Sequence, residues 1–278
     1  MRAIKKILPS QPRGINRLSQ PILDQDYWMI NQKRYFFLGA SFDSLTALQL
    51  LTKIKYISQD HGFRYILTSG MDQIVKINKH PDKHEKIHST CWLNICNSKT
   101  VDFLAKLSGI PIGQINSAEL VQQIFDNVIT KKDSINIIYY NSDSIKQFKS
   151  CDFSTRVNYH QLSNDIYSNK KAINIAAEFI HKNQARYTFI CAGSPIRETI
   201  AKQVLAMGNC RGLGICIDAL PKLLLKNNNK TSSKKGKGNK RSGYIIVIFQ
   251  RAYMHYKYTA KLLCVLWYWF KTSIVSLN

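Results

Sequence analysis

The chain has 278 residues, 45% of them hydrophobic, enough for one large or two small domains with a proper core. Forty Lys+Arg against 17 Asp+Glu give a net charge of +23, which implies an anionic partner: nucleic acid, an acidic membrane surface or a phosphorylated substrate. Seven cysteines without a C-x-x-C pair read as reduced thiols used in the core, and Met1 to Arg17 lacks the apolar stretch of a secretory signal.

Residues 1–30 read as an irregular basic arm, broken by Pro9, Pro12, Gly14 and Pro21. The α/β domain is expected over 31–225. Tyr35 to Leu38 reads as a strand, and Ser41-Phe-Asp-Ser leads into a helix from Leu45 to Ser58. Strands follow at Arg64 to Thr68 and Cys91 to Ile95. Helices are expected at Met71 to Asn78, from Pro81, at Lys99 to Ser108 and from Ser117 to Ile129. Then come a strand at Ile135 to Tyr140, a short helix at Asp143 to Lys149, a strand at Arg156 to Tyr159 and a helix at Lys170 to Lys182. Gly212 to Ile217 is the last strand. Strands alternating with helices predict an α/β fold, Rossmann-like, with a mostly parallel sheet and flanking helices.

Before that last strand stands Tyr187-Thr-Phe-Ile-Cys-Ala-Gly-Ser-Pro-Ile-Arg-Glu198. It reads as a strand, a turn at Gly193-Ser194-Pro195 and a helix from Ile196 to Met207. Ser194 is a candidate cap, and Pro195 suits the first helical position. Such a helix start lies at the carboxyl edge of a parallel sheet and favours an anion, which Arg197 and Glu198 would face. From Lys226 the chain is a polar linker, followed by apolar blocks at 244–249 and 262–270 with Trp267-Tyr268-Trp269. Residues 226–278 carry eleven Lys/Arg and no acid, so the expectation is a basic, aromatic tail lying in an anionic membrane interface. The charge run has no interleaved aromatics and no nucleic-acid module, so nucleic acid is not the expected partner.

His84-Glu85-Lys86-Ile87-His88 matches the zinc-protease pattern, in which two histidines share a helix face and the glutamate activates water. Lys83 and Lys86 make a solvated charged helix the better reading, and no metal or other cofactor is expected. There is no G-x-S-x-G, no Walker loop and no G-x-G-x-x-G.

Taken together, these segments resemble the WecB/TagA/CpsF glycosyltransferases (glycosyltransferase family 26) over about Tyr35 to Leu225. Tyr35-Phe-Phe-Leu-Gly-Ala-Ser-Phe-Asp43 resembles the family's opening strand and turn, and Arg64 to Gln73 its "T-x-N-x-D-H" segment, keeping Thr68 and Asp72. Leu104-Ala-Lys-Leu-Ser-Gly109 resembles "A-x-L-L-G", Ile115 to Leu120 resembles "V-x-G-S-D-L", and Gly193-Ser-Pro-Ile-Arg-Glu198 resembles "G-S-P-K-Q-E". The resemblance implies an inverting transfer from a UDP-sugar to a polyprenyl-diphosphate-linked acceptor, in cell-envelope polysaccharide synthesis at the inner face of a bacterial membrane. A homo-oligomer is compatible with it. The implied catalytic residues are Asn97, at the family's base position, with Thr68 and Asp72. Asp102 is a second carboxylate that would substitute as base. Gly193, Ser194, Pro195, Arg197 and Glu198 would bind the nucleotide-sugar, and Arg241, Arg251 and Lys257 the lipid diphosphate. The rival reading is a catalytically inactive relative that binds nucleotide-sugar or a partner; the zinc hydrolase stands third.

Overall fold

The computed structural model describes residues 33–57, 61–80, 90–140, 145, 155–167, 169–218 and 259–270, all within one unit, Gln32–Asn278. The strands are β1 (Arg34–Phe37), β2 (Ala40–Asp43), β3 (Arg64–Ser69), β4 (Leu93–Cys96), β5 (Ser134–Tyr139), β6 (Arg156–Gln161), β7 (Tyr187–Cys191) and β8 (Leu213–Ile217). The helices are α1 (Ala47–Tyr56), α2 (Met71–Lys79), α3 (Lys99–Leu107), α4 (Ser117–Asn127), α5 (Lys170–Lys182), α6 (Ile196–Met207) and α7 (residues 259–270). The expected helices from Pro81 and at Asp143 to Lys149 fall on residues outside this set, apart from Ile145.

Six strands form one sheet in the order β4-β3-β8-β7-β5-β6, and every pairing is parallel. The fold is therefore the expected Rossmann-like α/β one. A parallel sheet is covered on both faces, so its central strands are apolar throughout. β7 and β8 are buried at every position. Successive residues point to opposite faces. Ile66, Phe189 and Ile215 pack beneath α1 and α4, whereas Leu67, Ile190 and Cys216 pack beneath α5 and α6. Gly214 leaves room for that second layer, since a Cβ there would stand 2.7 Å from the Phe63 ring.

β2 departs from the expectation that Ser41 to Asp43 leads directly into a helix. Leu38 and Gly39 both take positive φ, 51° and 78°, and turn β1 back into an antiparallel β2. Ala, Ser and Asp are poor strand formers, so only tertiary contacts make this a strand. Arg34 grips Asp43 with two 2.9 Å hydrogen bonds, and the Asn94 backbone N–H donates to the same carboxylate at 2.7 Å. The hairpin thereby becomes a lid on a third apolar cluster with α2, α3 and the fully buried Val265 of α7.

The tail is thus not wholly interfacial. Val265, Tyr268 and Trp269 turn toward the domain, and the Trp269 indole N–H donates to Ser108 Oγ at 2.8 Å. Leu263, Leu266, Trp267 and Phe270 form the opposite stripe and are 66%, 36%, 58% and 61% exposed. Among the described residues no helix is long and apolar enough to cross a membrane. The six cysteines among them are all free thiols, as a reduced core requires. Burial pushes the Cys91 thiol up to about 12 and the Cys96 thiol up to about 11.

Candidate functional site at the carboxyl edge of the sheet

A cleft of about 540 Å³ opens where β3, β4, β7 and β8 end. Each strand hands over to a short turn that lines it. Gly70 to Gln73 follow β3, Asn97 to Thr100 follow β4, Gly193 and Ser194 follow β7, and Asp218 follows β8. The starts of α2, α3 and α6 therefore converge here, with their N–H groups and positive dipole ends. Lys76 and Tyr167 complete the walls.

α6 runs over Ile196–Met207, as the sequence predicts. Pro195 is the N-cap rather than the first helical residue, and no side chain caps the helix, so Ser194 does not serve that role. Ser194 instead offers its backbone carbonyl to the Lys76 ammonium. Gly193 lies under Tyr167, where a Cβ would meet the phenol oxygen at 3.0 Å.

Arg197 lines the cleft but does not present its guanidinium to it. The residue is 1% exposed. Nε donates to Glu198 Oε1 at 3.1 Å, Nη2 to the Thr68 carbonyl at 3.1 Å, and Nη1 to Asp218. Burial alone would lower its pKa, but the charges of Glu198 and Asp218 outweigh that and hold it above the usual value. Glu198 is equally buried and accepts from the Gln73 amide. Its Oε2 has no partner among the described residues. Arg197 and Glu198 are thus joined to each other and to the sheet, whereas the sequence reading expects both to face an anion.

The expected catalytic residues separate. Thr68 is buried and donates its hydroxyl to the Cys216 carbonyl at 2.9 Å, and it is not among the residues that line the cleft. Asn97 does line it, but its amide is engaged at both ends by Ser117. Nδ2 donates to Ser117 Oγ at 2.9 Å, and Oδ1 accepts from the Ser117 backbone N–H at 2.9 Å. Asp72 lies at the cleft's edge, well exposed, in a 2.5 Å ion pair with Lys261 of α7. Asp102 points elsewhere: it is buried on α3 and paired with Lys106 at 2.8 Å. Arg241, Arg251, Lys257 and the His84-Glu85-x-x-His88 pattern lie outside the described residues.

Among the cleft residues that the sequence reading did not nominate are Lys76, Lys99, Tyr167 and Asp218. Two left a signal. Lys76 stands four residues after Asp72 and shares its helix face, and Lys99 follows Asn97 at a helix start. Asp218 and Tyr167 reach the cleft only through the order of the strands.

Fold and cleft define a Rossmann-like α/β protein with its site at the strand ends. The glycosyl transferase WecG/TagA/CpsF family model matches residues 35–223, well over half of the chain. The chain belongs to this family of glycosyltransferases, which act in cell-envelope polymer synthesis. No curated protein matches it.

Proposed function

We propose that the protein transfers a sugar, with inversion, from a UDP-sugar to a polyprenyl-diphosphate-linked acceptor at the inner face of the cell membrane. The observation that carries this reading is the cleft itself: three helix starts and two lysines converge at the carboxyl ends of four parallel strands. That is where an α/β sheet binds a nucleotide's phosphates. Tyr167 brings its phenol oxygen over Gly193, where it can hydrogen-bond a bound donor. In such a transfer the departing diphosphate gathers negative charge, and preorganised N–H groups and cations stabilise it. The acceptor hydroxyl must meanwhile lose a proton. Asp72 is the carboxylate on the rim suited to take it, whereas Asp102 is buried, paired with Lys106 and not among the residues that line the cleft. The outer stripe of α7 supports membrane docking, because Trp267 and its apolar neighbours face solvent while Lys261 reaches back to Asp72.

A second reading has its own support. Asn97 stands where the family resemblance expects the base, an amide cannot take a proton usefully, and Ser117 satisfies both its ends. We therefore expect firm nucleotide-sugar binding with slow transfer. The test is a radiolabelled UDP-sugar transfer assay with a polyprenyl-diphosphate-sugar acceptor on anionic vesicles, alongside a thermal-shift screen of UDP-sugars. Nucleotide binding without turnover would establish the binding-only reading. Absence of both would end the transferase proposal.

A further inference from the structure

We infer that Lys76, supported by Lys99, is the cation pair that holds the diphosphate of the donor in this cleft. This assignment rests on the nucleotide-sugar reading above and names the residues that carry its charge recognition. The argument is one of elimination by geometry. The cleft is lined by three cationic side chains, Lys76, Lys99 and Arg197, and two acidic ones, Asp72 and Asp218. Arg197 is spent on Asp218, Glu198 and the Thr68 carbonyl. Asp72 is spent on Lys261. No ion pair among the described residues neutralises Lys76 or Lys99, so these two carry the cleft's uncompensated positive charge.

Lys76 is the better placed of the pair. It is half-buried, so its charge is less screened than that of the exposed Lys99. Its ammonium donates to the Ser194 carbonyl, which fixes it beside the uncapped start of α6. An ammonium has three donors, and this bond takes one, leaving two for phosphate oxygens. The helix start and the ammonium thus converge on one point from two elements. Lys99 sits across the cleft in the first turn of α3, next to Thr100. A diphosphate also occurs on the lipid acceptor, so the chemistry alone names the group and the test must name its source.

The experiment measures binding of four probes by calorimetry: inorganic pyrophosphate, UDP, uridine and farnesyl diphosphate. It uses the full chain and the variants Lys76→Gln and Lys76→Arg. Thermal unfolding of each variant checks that it is folded. Lys76→Gln is expected to weaken pyrophosphate and UDP by about 10- to 100-fold, the usual scale for a hydrogen bond to a charged group. Uridine binding should not change, and Lys76→Arg should recover most of the loss. Unchanged pyrophosphate affinity in folded Lys76→Gln overturns the assignment. Loss of farnesyl diphosphate with UDP retained also overturns it, giving Lys76 to the acceptor instead. Natural protein that binds pyrophosphate but not UDP overturns the nucleotide reading while leaving Lys76 as an anion site. Natural protein that binds neither overturns both.

Discussion

The two walls of the cleft use charge in opposite ways. On the α6–β8 side, Arg197, Glu198 and Asp218 interlock and Gln73 reaches in from α2; Arg197, Glu198 and Gln73 are buried, and one guanidinium is held between two carboxylates. On the α2–α3 side, Lys76 and Lys99 stand in the cleft with no counter-ion among the described residues. A buried charge must be paired where it sits, because desolvation costs more than any loose partner returns. A charge at the rim keeps its hydration and is able to exchange it for a ligand. The first wall therefore holds sheet and helix together, and the second is equipped to bind. The strongest cation in the opening turn of α6 consequently belongs to the architecture.

The largest expected effect would break that contrast directly. Arg197→Ala removes one member of a buried network and leaves Glu198 charged and unpaired. Breaking a buried pair in this way typically costs about 3–5 kcal/mol. The chemical-denaturation midpoint should fall accordingly, and the loss should appear without any ligand. A variant of natural stability that binds UDP poorly would move Arg197 to the binding wall.

Asn97 marks the boundary between the walls, and its substitution comes next in size. Asn97→Asp would keep the Ser117 backbone N–H as a donor, and the Ser117 hydroxyl is free to rotate and donate as well. The carboxylate would then be oriented by the same contacts that now hold the amide. A general base contributes about 10²–10⁴-fold in rate. We expect a gain near the low end, about 10²-fold, since this hydrogen-bonded carboxylate would be a weak base. Equal transfer by both forms would place the base elsewhere, with Asp72 the next residue to change.

Val265 extends the comparison to the tail. It is fully buried in the cluster formed by the hairpin, α2 and α3. Val265→Ala deletes two methyl groups, worth about 1.5 kcal/mol by transfer plus a share for the cavity. Trp267→Ala on the outer stripe should leave stability almost unchanged and reduce flotation with anionic vesicles. If both variants behaved alike in the two assays, α7 would not have separate core and membrane faces.

How far these features are legible in the sequence follows from the range of the interactions that make them. α5, β7 and α6 fall where periodicity and the Gly193-Ser194-Pro195 turn put them, since caps and apolar spacing are local. β2 is set by Arg34, Asp43 and Asn94 meeting across the fold, which no local propensity announces. The site is harder still. Helical spacing places Arg197 at the start of α6 but leaves its direction open, and that direction is set by Asp218, 21 residues away just past the end of β8. Thr68 is a similar case, because strand alternation does not tell a cleft-facing hydroxyl from one bonded to the neighbouring strand, as Thr68 is to the Cys216 carbonyl. Lys76 is the reverse case, its i+4 relation to Asp72 being visible in the sequence.

The smallest predicted effect concerns the ion pair that links tail and cleft. Lys261 and Asp72 meet at 2.5 Å, with side chains 37% and 59% exposed. At that exposure water and salt screen the attraction, and such pairs contribute about 0.2–1 kcal/mol. A double-mutant cycle with Lys261→Ala and Asp72→Ala should give a coupling in that range, fading as salt shortens the Debye length from ~10 Å at 0.1 M. Its functional weight would exceed its energy. Lys261 neutralises Asp72 and keeps it from repelling a diphosphate held by Lys76, one turn further along α2. Lys261→Ala should therefore weaken UDP binding about twofold at low salt, and adding Asp72→Ala should restore it. A coupling above about 2 kcal/mol, or one insensitive to salt, would mean that the pair is buried in solution and that α7 closes over the cleft rim.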